Sequence, residues 1–259
     1  MNTPKVFLIF FFLSISITGQ KKNIFEVGEE LTYEVSYLFI KIGELKFRIA
    51  EKYETPEGIQ YKAVGQINSY SHIPFITLNE IVESKMTDDP VSHYFRALHL
   101  GYKPPRFSKY EIDYDEATLH VTRGVLKPFK IKVDSTCDLN QQIQDGLSLL
   151  YYARNGVGKK NSVQVPSFIG EQFKDVKLNF HDGTEGIEIS AVDYEIDCTQ
   201  LDGQFDFVGL YGLTGKFKGW FSNDEFSVPI VGTLNVLIGE LTIELKSWRK
   251  PGWIPPKKK

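Results

Sequence analysis

The chain has 259 residues, a formal net charge of −3 and a pI near 6.0, so it offers nucleic acid no basic face. It is 42% hydrophobic and 24% charged, which excludes a disordered polymer and fits one large domain or two small ones. Aromatic residues make up 14%, with 19 Phe and 13 Tyr, a bias toward pleated, half-buried surfaces rather than helices.

The first element is a targeting signal. Lys5 precedes an apolar run over residues 6–17, and Ser16, Thr18 and Gly19 place small residues where a signal peptidase cuts. The run is too short for a comfortable membrane span. The expected organisation is a signal peptide over 1–19, a β domain over 20–249 and a Pro/Lys-rich tail over 250–259. The mature chain is then exported, periplasmic or associated with the outer envelope, without a transmembrane segment. No cysteine follows the apolar run, so the lipid-anchoring pattern of bacterial lipoproteins is missing.

Strands follow. Leu31, Tyr33, Val35, Tyr37 and Phe39 alternate with polar residues over 30–39, the mark of a half-buried strand. Residues 40–43 read as its connection to a second strand carrying Leu45, Phe47 and Ile49. Thr55-Pro56-Glu57-Gly58 is a turn with Pro at its second position. Further strands are expected over 61–67, 76–86, 93–100, 109–114, 118–122 and 127–133.

The period then changes. Ile143, Leu147, Leu150, Tyr151 and Arg154 recur at helical spacing, predicting an amphipathic helix over 139–154 that stops at Asn155-Gly156 and packs on a sheet. Gly146 inside it suggests close backbone approach. Strands resume over 162–168, 173–180 and 185–192, with His181-Asp182-Gly183 as a hairpin turn, and residues 203–219 read as turns and short strands.

The clearest pattern lies in residues 219–248. Ser222-Asn223-Asp224-Glu225 is a turn, because short polar side chains can bond their own backbone. Pro229 cannot donate a ladder hydrogen bond, which puts its strand at an edge or bends it there. Leu234, Val236 and Ile238 share one parity, and Leu241, Ile243 and Leu245 the other. A bulge at Gly239 would restore the buried face, and a tight turn there is the alternative. The tail, with three prolines and terminal lysines, is expected to be extended and poorly ordered beyond a start docked by Trp248 and Trp253.

Chemistry-bearing motifs are few. There is no Gly-x-Ser-x-Gly elbow, phosphate-cradling loop or His-Glu-x-x-His helix, and the five histidines show no metal-ligand spacing. The acidic pairs fall in turns, where solvated carboxylates are expected. No catalytic, metal or cofactor residues are therefore assigned. Asp145, Ser148, Tyr151, Tyr152 and Arg154 form the one polar-aromatic cluster, with Arg154 suited either to an anionic ligand group or to tethering the helix to a neighbouring acid. Cys137 and Cys198 could pair after export, closing a loop of about 60 residues, or remain free thiols.

Three stretches carry a resemblance. They are Gly28-Glu29-Glu30-Leu31-Thr32-Tyr33-Glu34-Val35-Ser36-Tyr37 with Ile42-Gly43, then Asp145-Gly146-Leu147-Ser148-Leu149-Leu150-Tyr151-Tyr152-Ala153-Arg154, and then Gly219-Trp220-Phe221-Ser222-Asn223-Asp224 with Val228-Pro229 and Ile238-Gly239. With these the chain resembles the exported bacterial family known only as DUF3108. The resemblance implies a single antiparallel β-roll or open barrel with one short helix packed on the sheet, in the cell envelope, and no assigned activity. The expected role is a non-enzymatic scaffold binding a hydrophobic small molecule or an envelope protein. A glycan or lipid hydrolase and a structural module of a larger assembly are the alternatives.

Overall fold

The computed structural model describes residues 24–56, 58–74, 77–208, 213–236 and 239–259. The expected signal peptide lies outside them.

The chain is mainly β. Strands β1 (Glu30–Tyr37), β2 (Ile40–Thr55), β3 (Gly58–Ser69), β4 (Asn79–Thr87), β5 (Ser92–His99), β6 (Arg106–Asp113), β7 (Thr118–Leu126) and β8 (Phe129–Asp138) form one antiparallel meander. The helix α1 (Ser148–Gly156) follows. A second meander runs through β9 (Asn161–Ile169), β10 (Gln172–Ile187), β11 (Ile196–Val208), β12 (Leu213–Ser222), β13 (Pro229–Val236) and β14 (Glu240–Arg249). β14 pairs antiparallel with β1, so both meanders join into one 14-stranded sheet with β8 and β9 at its edges. First and last strands thus meet in the middle.

The helix dictates how this sheet curves. Leu149, Ala153 and the following Val157 pack on Val165, Val176, Leu178 and Phe221 of β9, β10 and β12. On its other side, Leu147 and Tyr151 pack on Ile49, Ala63 and Met86 of β2, β3 and β4. One short helix therefore touches the inner face of both halves, and the sheet rolls around it. The edges overlap rather than pair: Phe168 of β9 lies edge-on to Tyr110 of β6, ring centroids 4.8 Å apart, while β8 is exposed almost throughout. Lysines and aspartates along β8 discourage edge-to-edge aggregation. The β9 edge is covered by the segment before the helix, where Gln144 N–H donates to Pro166 O (2.9 Å) and Phe168 N–H donates to Gln144 O (2.8 Å).

Several sequence expectations are corrected. The helix begins at Ser148, nine residues later than the periodicity suggests. Leu139 and Ile143 are buried, but against β6 and β7 from an extended segment, so the apolar stripe was real while its helical reading was not. Asp145 sets the start: its Oδ1 accepts Leu147 N–H (2.7 Å) and Ser148 N–H (2.9 Å), and Ser148 Oγ accepts Asp145 N–H (2.9 Å). Gly146 meets no atom within 4 Å of an added Cβ, so it faces open space rather than a close backbone. The 40–43 connection is instead a two-residue turn at Leu38-Phe39. His181-Asp182-Gly183 lies within β10, where the register shifts, and the strand ends at Ile187. Residues 203–219 belong mostly to two long strands, in which Gly203 leaves room for the Phe217 ring across the pair. Gly239, at φ +85°, sits in the hairpin between β13 and β14 (Asn235↔Glu240), so the turn and not the bulge explains the change of parity. Pro229 opens an interior strand beside a register shift, bent rather than at a sheet edge.

The tail is docked, not loose. Trp253 is buried against Trp248 and donates to Asp224 Oδ2 (2.8 Å). Asp197 N–H donates to Pro256 O (2.7 Å), and Lys258 N–H to Glu195 O (2.9 Å). These bonds satisfy backbone groups of the connection before β11, which gives the tail its order.

Candidate functional site

Arg154 on the helix is 1% exposed. Its Nη1 donates to Glu29 Oε1 (2.7 Å) and its Nη2 to Glu29 Oε2 (3.1 Å), a bidentate pair. Its Nε donates to Ser227 O (3.2 Å) and its Nη2 to Phe226 O (3.1 Å), while its guanidinium lies 5.3 Å from the Tyr151 ring. Lys250 Nζ lies 2.9 Å from Glu29 and 2.7 Å from Glu26. Burial would raise the Glu29 carboxyl, but the Arg154 and Lys250 charges beside it hold it below the usual carboxylate range. The Arg154 guanidinium is held protonated: burial opposes the charge, and Glu29 more than offsets it. Charges so engaged are not presented to a ligand. The geometry is that of a tether joining the N-terminal segment, the helix, the 223–228 connection and the start of the tail.

A second buried carboxylate lies just before the helix. Asp145 Oδ2 accepts Ser84 Oγ and Ser92 Oγ, both at 2.6 Å, so β4 and β5 are pinned to the cap. Burial raises this carboxyl above its ordinary value despite four donors. Tyr151 is buried and Tyr152 half-buried, the latter packed beside β9–β12, and burial raises both phenols.

Cys137, on exposed β8, and Cys198, in the core of β11, are both free thiols, so the pairing considered from export is not made. Burial pushes the Cys198 thiol up to about 12, with Asp197 adding to the effect, and burial also raises Cys137. Neither is a thiolate near neutral pH. Among the described residues no group of three His, Cys, Asp or Glu side chains could hold a metal ion, and no helix is long and apolar enough to cross a membrane.

What the rolled sheet does create is interior space. A chamber of about 280 Å³ lies between the helix and β11–β14, lined by Leu149, Leu150, Ala153, Leu201, Phe205, Phe217, Phe221, Val231, Leu234 and Ile243, with Tyr33 and Lys218 among its few polar groups. Phe47, Gly146 and Leu147 are shared with a second chamber of about 510 Å³, which runs along β4–β7 past Val82, Phe95, Ala97, Tyr110 and Phe168. That chamber shares His99, Tyr102, Ser108, Arg123 and Glu171 with an outer cleft of about 340 Å³ that adds Arg106 and Lys132. The interior is therefore apolar at one end and polar at the other. In the polar part His99 Nδ1 lies 3.0 Å from Glu80 Oε1, Arg123 is ion-paired with Glu171, and the Arg106 guanidinium stands 4.5 Å from the Tyr102 ring. Ser108 is diagonal to His99 across β5 and β6, but no hydrogen bond joins them. A carboxylate–histidine pair is present here without an engaged nucleophile.

Sequence reasoning singled out Tyr151, Tyr152 and Arg154, and the structure puts Tyr151 and Arg154 in the tether with Tyr152 outside it. It missed Glu29 and the chamber lining. Glu29 had a signal, as a charged residue just before a strand whose inward face is wholly apolar. The lining had none, because its residues come from strands far apart in sequence.

The chain belongs to the family described as a protein of unknown function (DUF3108), whose model matches residues 32–246. No curated protein matches it. Among solved structures it is similar to a beta-barrel-like protein of the domain of unknown function DUF1849 from Brucella abortus, with TM-score 0.52 and 10% identity, covering 85% of this chain and 96% of that one. A protein with a YmcC-like fold from Bacteroides fragilis aligns with TM-score 0.38 and 11% identity, over 87% and 97% of the two chains. The three stretches that carry the family resemblance converge on the tether: Glu29 from the first, Arg154 from the second, and the carbonyl of Ser227, beside Val228-Pro229, from the third.

Proposed function

We propose that this protein is an exported, non-enzymatic envelope scaffold that holds a hydrophobic small molecule between its helix and its rolled sheet. The observation that carries this reading is the chamber around Leu150, Phe217 and Leu234: concave, lined almost wholly by apolar side chains, and bordering a larger space with which it shares Phe47, Gly146 and Leu147. Binding sites for small molecules are characteristically apolar hollows with a few placed polar groups, of roughly 300–1,000 Å³. The N-terminal apolar run supports export. The hydrolase alternative gains the Glu80–His99 pair but lacks an activated nucleophile, so binding is favoured.

The test is native mass spectrometry of the mature protein purified gently from the envelope fraction, followed by solvent extraction. A co-purifying apolar molecule that leaves on extraction supports the proposal. A bare protein that also takes up no added long-chain amphiphile would count against it.

A further inference from the structure

The two ends of the sheet differ in chemistry. In an antiparallel meander alternate connections fall at opposite ends, so those of β1–β2, β5–β6, β7–β8 and β9–β10 share one end. Most of the exposed large apolar side chains of the described residues collect there. Leu38, Phe39 and Ile40 are 59%, 101% and 58% exposed at the β1–β2 turn. Tyr102 stands on the β5–β6 connection, Phe129 (67% exposed) just after the β7–β8 turn, and Phe173 just after the β9–β10 turn. Among the described residues Leu100 also stands on the β5–β6 connection, Ile131 is on β8, and Val27 and Ile254 lie elsewhere.

The turn itself is unusual. Leu38 and Phe39 have φ of +46° and +71°, the left-handed region that a two-residue hairpin turn normally fills with Asn-Gly. Two bulky side chains held there are strained, yet a fully exposed Phe39 repays nothing in folding. Strain kept without a folding gain marks a position used for something else.

Charge follows the same division. The connections at this end include Lys103 and Lys127, flanked by Lys41 (paired with Glu34), Arg106 and Lys130; of the acids here Glu171 is paired with Arg123, and Glu240 opens β14. The strand-to-strand connections at the opposite end carry Asp88, Asp89, Asp115, Glu116, Asp224 and Glu225 with no Lys or Arg among the described residues. Cations there come from Lys159, Lys160 and the tail, where Lys250 and Lys258 are ion-paired.

We infer that the end bearing Phe39 docks on an anionic lipid surface. Apolar tips on separate hairpins, interleaved with lysines, suit a surface that admits each tip individually below a layer of negative headgroups. The outer cleft, with Tyr102, Arg106 and Glu171, opens at this same end, so docking would set the mouth of the interior against the lipid. The inference stands apart from the ligand proposal, since docking needs no occupied chamber.

The test is co-sedimentation of the mature protein with vesicles of phosphatidylcholine alone and with one-third phosphatidylglycerol, comparing wild type, Phe39→Asn, Lys103→Glu/Lys127→Glu and Ile254→Ser. Asn accepts a left-handed φ, so Phe39→Asn should keep or raise the thermal midpoint while weakening vesicle binding at least fivefold. The double lysine variant should lose the preference for anionic vesicles, and Ile254→Ser should bind like wild type. The inference is overturned by absence of binding to either vesicle, by pelleting without vesicles, or by a Phe39→Asn variant that binds unchanged.

Discussion

Arg154 illustrates how a residue that looks like a ligand-binding cation becomes a structural one. Once its guanidinium is buried, an unpaired partner is costly: breaking such a pair by removing one member destabilises by about 3–5 kcal/mol. Arg154→Met should therefore lower the free energy of urea unfolding by that order, and Glu29→Gln by a similar or smaller amount because some hydrogen bonding survives. Acid sensitivity follows from the direction of the Glu29 shift. Its folded pKa lies below the unfolded value of about 4.3, so its contribution is complete above that pH and is lost as pH falls through the folded value. The stability gap between wild type and Glu29→Gln should close as pH drops below about 4. Asp145 has the opposite sign: raised in the fold, it contributes most below its unfolded pKa and loses that contribution as pH rises through the folded value. Unfolding curves of Asp145→Asn across the acid range should show the variant gaining on wild type as pH rises. A variant parallel to wild type would rule this titration out.

At the scale of elements, alternation and turn chemistry were legible and periodicity was not always. Leu31, Tyr33 and Val35 alternate because one face of β1 meets the core, and the structure buries that face. The residues before the helix, 139–147, show the limit. Leu139 and Ile143 repeat at helical spacing, but Asp145 offers its carboxylate to the backbone and stops the helix from extending backward. Tertiary partners on β4, β5 and β9 decide that, and none is near in sequence. Ile-Gly-Glu-Leu occurs twice, at residues 42–45 and 238–241, and is a second case, since its glycines serve different needs. Gly239 supplies φ +85° in a turn. Gly43 instead lets β3 approach: an added Cβ would lie 2.4 Å from the Asn68 carbonyl oxygen. Gly239→Ala should cost about 1 kcal/mol through backbone strain. Gly43→Ala should cost about 1–3 kcal/mol through overpacking against backbone. Thermal melts of the two variants would rank them, and the reverse order would contradict these roles.

At the scale of the molecule, the architecture was foreseeable and the interior was not. Short alternating strands broken by turns, and one helix, imply a rolled sheet with the helix against it, but which strands face the space depends on the strand order. That order joins β1 to β14 and leaves β8 and β9 apart, so a helix entering between the edges props the sheet open. The family signature is then intelligible as the lock that fixes this prop. Gly146 lines both inner chambers, with nothing near it for a side chain to strike. Gly146→Leu should accordingly fold with wild-type circular dichroism while placing a side chain in the space that the two chambers share as lining.

The most direct measurement is a fluorescence titration of the mature protein and of Gly146→Leu with a long-chain fatty acid bearing an environment-sensitive fluorophore. Saturable binding to the wild type, weakened at least tenfold in the folded Gly146→Leu variant, is the predicted result. Equal affinity in both proteins, or no saturable binding to either, would contradict a ligand held between helix and sheet.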